Sequence, residues 1–218
     1  MVLDKRLRPI VKSPDMPQLL SALQEIWQDE QKRRLSFYDW VTPDIKAEFI
    51  DGEIVVHSPV KKKHNIISGA VYSLLNAFVI KYQLGFVGIE KIMTRFVRND
   101  YEPDVVFLGN EKAAAFQDDL TIFPVPDFIV EVLSDSTEER DRGVKFRDYA
   151  LHGVAEYWII DPETETVEQY FLAEEEFVLN AALTKGDIEC RVIDGLKIPV
   201  RAIFNQEEQL KILSAISA

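Results

Sequence analysis

The chain has 218 residues, of which 47% are hydrophobic and 28% charged, and its 25 Lys and Arg against 37 Asp and Glu leave a formal charge of −12. This balance is globular rather than disordered or fibrous, and its acidic field opposes capture of nucleic acid by a broad basic surface. No apolar run approaches the roughly 18 residues of a membrane span, the start MVLDKRLRPIVKSPDMPQ lacks the apolar core of a secretory signal, and the single Cys190 has no partner for a disulfide or a thiolate metal site. A soluble, cytoplasmic protein with no membrane contact is expected.

In chain order, Leu19, Leu20, Leu23 and Ile26 recur at helical spacing within 18–33. The segment KAEFIDGEIVVH then alternates about Asp51-Gly52, a dipeptide that suits the two positive-φ positions of a tight hairpin. Over 62–83, Ile66, Ile67, Ala70, Val71, Leu74, Leu75 and Phe78 fall on one helical stripe that ends before Gly85. Strand-like runs follow at 85–97, 103–108 and 127–133, with a looser loop over 110–123.

A helix is expected over 138–151, opened by Ser and Asp capping residues and an acidic first turn and stopped at Gly153. Its interior Gly143 costs about 1 kcal/mol relative to Ala. EYWIID at 156–161, then TVEQYFL and EFVLNAAL, read as strands, and 206–217 as a terminal helix. Strand, helix and strand over 127–161 make a βαβ unit, so the expectation is an α/β fold, a mixed β-sheet flanked by helices. The parts are an N-terminal arm and helix (1–35), a main region (36–205) and a C-terminal helix (206–218), within a single domain.

In the run FIVEVL at 128–133, Glu131 shares a strand face with Asp127, Ile129 and Leu133, while Phe128, Val130 and Val132 take the other. A carboxylate buried there costs several kcal/mol unless something compensates it. Asp104 starts another apolar run, PDVVFL; if the two strands are neighbours, two carboxylates converge. Like charges held close raise each other's pKa unless a cation neutralises them, and hard oxygen ligands suit Mg²⁺. Downstream, Asp141, Lys145 and Tyr149 are four apart and share a helix face, from which a lysine can reach back over the sheet. Two acids, a divalent cation and an ammonium can hydrolyse a phosphodiester: the metal polarises the phosphoryl oxygen and activates water, and the ammonium orients that water or stabilises developing charge.

AEFIDGEIVVHSP (47–59) with His64 after it, YEPDVVFL (101–108) and PDFIVEVLSDSTEERDRGVKFRDYALHGVAEYWIIDP (126–162) together resemble the Uma-type restriction-endonuclease-like family of the PD-(D/E)XK nuclease superfamily. The resemblance covers about residues 36–170 and implies a restriction-endonuclease-like fold and a Mg²⁺-dependent endonuclease acting on DNA, with Mn²⁺ as a substitute metal. It makes Asp104 the PD aspartate, Glu131 the second acidic metal ligand and Glu48 a supporting acid. The superfamily lysine falls at position 133, where this chain has Leu133; the resemblance implies that it has migrated to the following helix as Lys145.

Each candidate also has a plainer reading. Asp104 can be a polar residue at a strand start, Glu131 a carboxylate paired with a basic side chain, and Lys145 the partner of Asp141 in an i,i+4 ion pair. Glu48 can be a solvated hairpin residue, Tyr149 a packing residue, His64 a helix-start cap and Asp127 a strand-start residue. Lys61, Lys62 and Lys63 can be a solvated run, although cations at a helix start oppose the macrodipole, which favours phosphate contact. A dimer suits double-strand cleavage. The competing functions are a catalytically inactive nuclease-fold module for binding or assembly, and a hydrolase of small phosphate esters.

Overall fold

The computed structural model describes residues 7–218, so the first six residues of the expected arm lie outside it. The chain runs through α1 (Arg8–Val11), α2 (Met16–Trp40), the hairpin β1 (Ala47–Ile50) and β2 (Glu53–Val56), and α3 (Lys62–Tyr82). It continues as β3 (Gly85–Ile89), β4 (Met93–Arg95), β5 (Asp100–Tyr101), β6 (Val105–Gly109), α4 (Asn110–Ala113), β7 (Ile122–Phe123) and β8 (Phe128–Val132). Then come α5 (Glu138–Asp141), α6 (Val144–Leu151), β9 (Glu156–Asp161), β10 (Thr166–Ala173), β11 (Glu176–Leu183), β12 (Asp187–Glu189), β13 (Lys197–Pro199), α7 (Arg201–Phe204) and α8 (Gln206–Ser217).

Two mixed sheets carry the fold. The larger has six strands in the order β11-β10-β9-β8-β6-β3, the second has five in the order β2-β1-β5-β4-β7, and β12 and β13 make a small ribbon. β8 lies between β6, antiparallel, and β9, parallel, which is the expected strand–helix–strand crossover. Having neighbours on both edges and packing on both faces, β8 is buried throughout, which explains its continuous apolar run. On one face Val130, Val132 and Phe128 pack with Val71, Leu74, Leu75 and Val79 of α3. On the other, Ile129 and Leu133 pack with Tyr149, Ala150 and Tyr157.

The hairpin turn is as expected, with Asp51 at φ 51° and Gly52 at φ 84°. Four readings need correction. α2 extends beyond 18–33 at both ends, because Phe37 anchors its last turns against Phe49. On α3 the stripe turns slightly, leaving Ile66 exposed while Val79 is buried. The single strand over 85–97 is two, β3 and β4, which lie in different sheets; Glu90 and Lys91 between them take positive φ and turn the chain across. The helix over 138–151 breaks at Gly143, which leaves helical geometry (φ −112°, ψ −99°). The short elements β7, α4, β12, β13 and α7 carry too few residues for a period to show. Among the described residues no helix is long and apolar enough to cross a membrane.

Candidate active site

Asp104 lies where the chain leaves β5 in one sheet and starts β6 in the other, after Pro103, which has no N–H to offer a ladder. The pairing of Val105 with Val130 sets Asp104 level with Glu131 on the neighbouring strand. The backbone N–H of Asp104 faces Glu131 Oε2 at 3.3 Å, and the N–H of Val132 donates to Asp104 Oδ2 at 2.9 Å. The two carboxylates therefore converge, as their strand positions anticipated.

From α6, Lys145 Nζ reaches Glu48 Oε1 at 2.9 Å, Glu131 Oε1 at 3.0 Å and Asp141 Oδ1 at 3.2 Å. Tyr149 one turn later donates to Glu131 Oε1 at 2.9 Å. Despite the break at Gly143, Asp141, Lys145 and Tyr149 thus share a face as their spacing required. Glu48 comes from β1 in the other sheet, so Lys145 bridges the sheets. Lys145 is only 2% exposed and is nearly enclosed by its carboxylates.

Asp104 has its own basic partners: His64 Nε2 at 3.0 Å and Lys46 Nζ at 3.3 Å. His57 Nε2 stands 3.0 Å from Glu48 Oε2, and Glu102 accepts from the N–H of Ala47 at 3.1 Å. A cleft of about 310 Å³ opens onto this cluster, walled by Lys46, His64, Asp104, Glu131 and Lys145 and rimmed by Lys61, Asp135 and Arg140.

The charge is unbalanced. The carboxylates of Glu48, Glu102, Asp104, Glu131 and Asp141 face the ammonium groups of Lys46 and Lys145 and two imidazoles. Burial would raise the pKa of Glu48, but Lys145 and His57 outweigh it and hold it well below the usual carboxylate range. At Asp104 burial is likewise outweighed, by His64 and Lys46, and the pKa is lowered. Glu131 carries the shortfall: burial first, then Asp141, Asp104 and Glu48, overcome Lys145 and push its pKa up to about 8. Asp141 is raised by burial against the pull of Lys145, and Glu102 is raised to about 7 mainly by burial.

This donor set fits a hard divalent cation. Asp104 and Glu131 present carboxylate oxygens to the cleft, and the raised pKa of Glu131 reflects acid that Lys145 only partly offsets, a place where a cation could stand in for the proton. Two further carboxylate oxygens, Glu48 Oε2 and Asp141 Oδ1, are buried without an aligned hydrogen bond. Among the described residues no cluster of three or more His, Cys, Asp or Glu forms a ready-made metal cage. Two carboxylates with the remaining positions left to water and phosphate is an arrangement typical of Mg²⁺.

Other candidates fall around the rim or away from it. Lys61 pairs with Asp135 at 2.8 Å and Lys63 with Glu163 at 3.3 Å, both exposed, while Lys62 is exposed at the start of α3. Asp127 is apart from the site, capping the N–H of Gly109 at 2.7 Å and pairing with Lys112 at 2.6 Å. Sequence reading missed Lys46, His57, Glu102 and Arg140. The alternation of the hairpin held a signal for the first, since Lys46 and Glu48 share a strand face two residues apart.

The Uma2 family, described as "Putative restriction endonuclease", matches residues 30–201. A crystal structure from Anabaena variabilis, described as a putative nuclease belonging to DUF820, superposes with a TM-score of 0.67 at 18% identity, covering 79% of this chain and 96% of that one. Among curated proteins none matches. The family match spans most of the molecule, including every residue of the cleft, and the chain belongs to the Uma2 family of restriction-endonuclease-like proteins.

Proposed function

We propose that the protein is a Mg²⁺-dependent endonuclease that hydrolyses phosphodiester bonds of DNA, with Mn²⁺ able to replace Mg²⁺. The convergence of Asp104 and Glu131 on one cleft wall supports this most directly, the two carboxylates being tied by the 3.3 Å contact from the Asp104 N–H. The nuclease descriptions of the family and of the Anabaena protein support the choice of a phosphodiester over other phosphate esters.

In this reading Asp104 and Glu131 hold the cation. When bound, it supplies Lewis-acid polarisation of a phosphoryl oxygen and a lowered pKa for the attacking water. Lys145 fixes Glu131 and Glu48 in place, and its ammonium, beside the Glu131 carboxylate, would orient the attacking water or stabilise developing charge. Tyr149 holds the second lone pair of Glu131 Oε1. His64 and Lys46 orient Asp104, and Lys46, the more exposed of the two site lysines, presents positive charge toward an incoming phosphate. Lys61 and Arg140 on the rim extend that charge; the exposed Lys61–Asp135 pair is worth little in water and exchanges readily for a phosphate.

The test is cleavage of plasmid, linear duplex, single-stranded DNA and RNA with Mg²⁺ or Mn²⁺, by the native chain and by Asp104→Asn, with circular dichroism to establish that both are folded. Metal-dependent cleavage of DNA that falls by at least about 10²-fold in the variant is expected, the scale of losing one charge-stabilising group. If no nucleic acid is cut with either metal, or if the variant cuts as fast, the proposal is wrong.

A further inference from the structure

The first half of α2 is an unpartnered helix. Every residue from 14 to 29 is exposed, and the first buried residue of α2 is Glu30. The Uma2 match begins at residue 30, so this arm lies outside the matched residues. A helix of about 14 residues is marginal in water by itself, and this one has no side-chain hydrogen bond from its N-cap Asp15. Apart from α1 at its start, no other element of the described residues packs on it.

The exposed face has a pattern. Met16, Leu20, Leu23 and Trp27 repeat at intervals of 4, 3 and 4, flanked on one side by Leu19 and Ile26, and all six are 37% to 57% exposed. This is a heptad seam about 120° wide. Glu30, Arg34 and Phe37 continue the same stripe, and they are the residues that dock α2 on the domain. The seam is therefore the body-facing stripe of α2 extended past the edge of the body.

We propose that the seam pairs with the same seam of a second copy of this chain, antiparallel, about a two-fold axis near residues 21 and 22. That register sets Met16 opposite Trp27 and Leu20 opposite Leu23, large against flexible at the ends and leucine against leucine in the middle, so the face is its own complement. Charge selects this occupant. Glu25 and Asp29 lie on the opposite side of the helix, and the seam is bordered by Gln24, Leu19 and Ile26, so two chains of net charge −12 meet without acidic side chains at the contact. A lipid surface fits poorly, because interfacial helices carry Lys and Arg on their polar face, where this one has Glu25 and Asp29. A paired arm about 21 Å long is short of a standard permanent interface, so the dimer is concentration-dependent. It holds whether or not the cleft is catalytic.

Sedimentation velocity of the full chain from about 1 to 200 μM is expected to show mass rising from 25.1 kDa toward twice that value. The double substitution Leu20→Glu with Leu23→Glu is expected to hold the chain monomeric throughout, and at about 1 μM, where the native chain is also monomeric, to leave the melting temperature of the domain unchanged because neither residue packs on it. A native chain that stays monomeric at every concentration overturns the proposal, as does a dimer that survives the double substitution. Native chain that co-sediments with anionic phosphatidylglycerol vesicles while the variant does not overturns it too, by assigning the seam to lipid.

Discussion

Lys145 Nζ lies 3.0 Å from Glu131 Oε1, although the two residues are 14 apart in sequence and on different elements. Glu131 is set on the α6-facing side of β8 by strand alternation, and α6 packs across that side through Tyr149 and Ala150. Position 133, two residues on along the same strand face, is a leucine 7% exposed among apolar neighbours, and the ammonium beside Glu131 comes from the helix.

Replacing Lys145 by Met should leave Glu48, Glu131 and Asp141 buried around an apolar side chain. Removing one partner of a buried ion pair costs about 3–5 kcal/mol, and here the cation lies within 3.2 Å of three acids. Urea titration at pH 7 is the measurement; a loss under about 1 kcal/mol would mean that the cluster is more hydrated than its burial implies.

Metal-free protein should lose stability as pH rises. The pKa of Glu131 is raised from 4.5 to about 8 and that of Glu102 from 4.5 to about 7, so the folded state keeps protons that the unfolded chain releases. Their contribution is full below about pH 4.5 and is lost as pH climbs through 7 and 8, on the order of a few kcal/mol. Asp104, whose pKa is lowered, acts the other way, but only below its ordinary value near 3.8, outside this window. Urea midpoints in EDTA at pH 5 and pH 9 read the slope, and Mg²⁺ should flatten it by replacing the proton. A flat profile in EDTA would refute the charge shortfall.

Arg34→Met should be severely destabilising although it is remote from the cleft. The guanidinium is buried and donates to Asp100 at 2.6 and 2.8 Å and to the carbonyls of Phe96, Val97 and Asn99. Asp100, fully buried, would keep only Tyr38 at 2.8 Å. The expected loss is about 3–5 kcal/mol, measured by urea titration, with recovery in Arg34→Met, Asp100→Leu if the cost is the orphaned carboxylate.

Gly143→Ala tests the break between α5 and α6. Helix propensity alone predicts a gain of about 1 kcal/mol, but a Cβ at 143 would come within 2.5 Å of the Glu139 carbonyl oxygen. Overpacking against backbone costs roughly 1–3 kcal/mol, so thermal melting should show a net loss. A rise in melting temperature would mean that the helix can close up without the break.

Much of the fold was legible because periodicity is a local property. The apolar stripe of α3, the Asp51-Gly52 turn and the central strand β8 follow from spacing, from positive-φ demand and from a run of apolar residues long enough for a buried strand. Strand alternation likewise placed Glu131 on the same face as Ile129 and Leu133, and four-residue spacing put Asp141, Lys145 and Tyr149 together. The split of 85–97 between two sheets was not legible, since Glu90 and Lys91 are not residues that announce positive φ.

What sequence alone determined, then, is which residues must be buried and which of them cannot stand burial unaided: Glu131 within FIVEVL and Asp104 at the head of PDVVFL. Only the tertiary structure decided how they are compensated. Bringing the β1 hairpin of one sheet against β6 and β8 of the other places Glu48, Lys46 and His57 beside acids more than 40 residues away, as the contact of Lys46 with Asp104 across 58 positions shows. Such contacts leave no period in the chain, because they depend on how two sheets meet rather than on the spacing within either one.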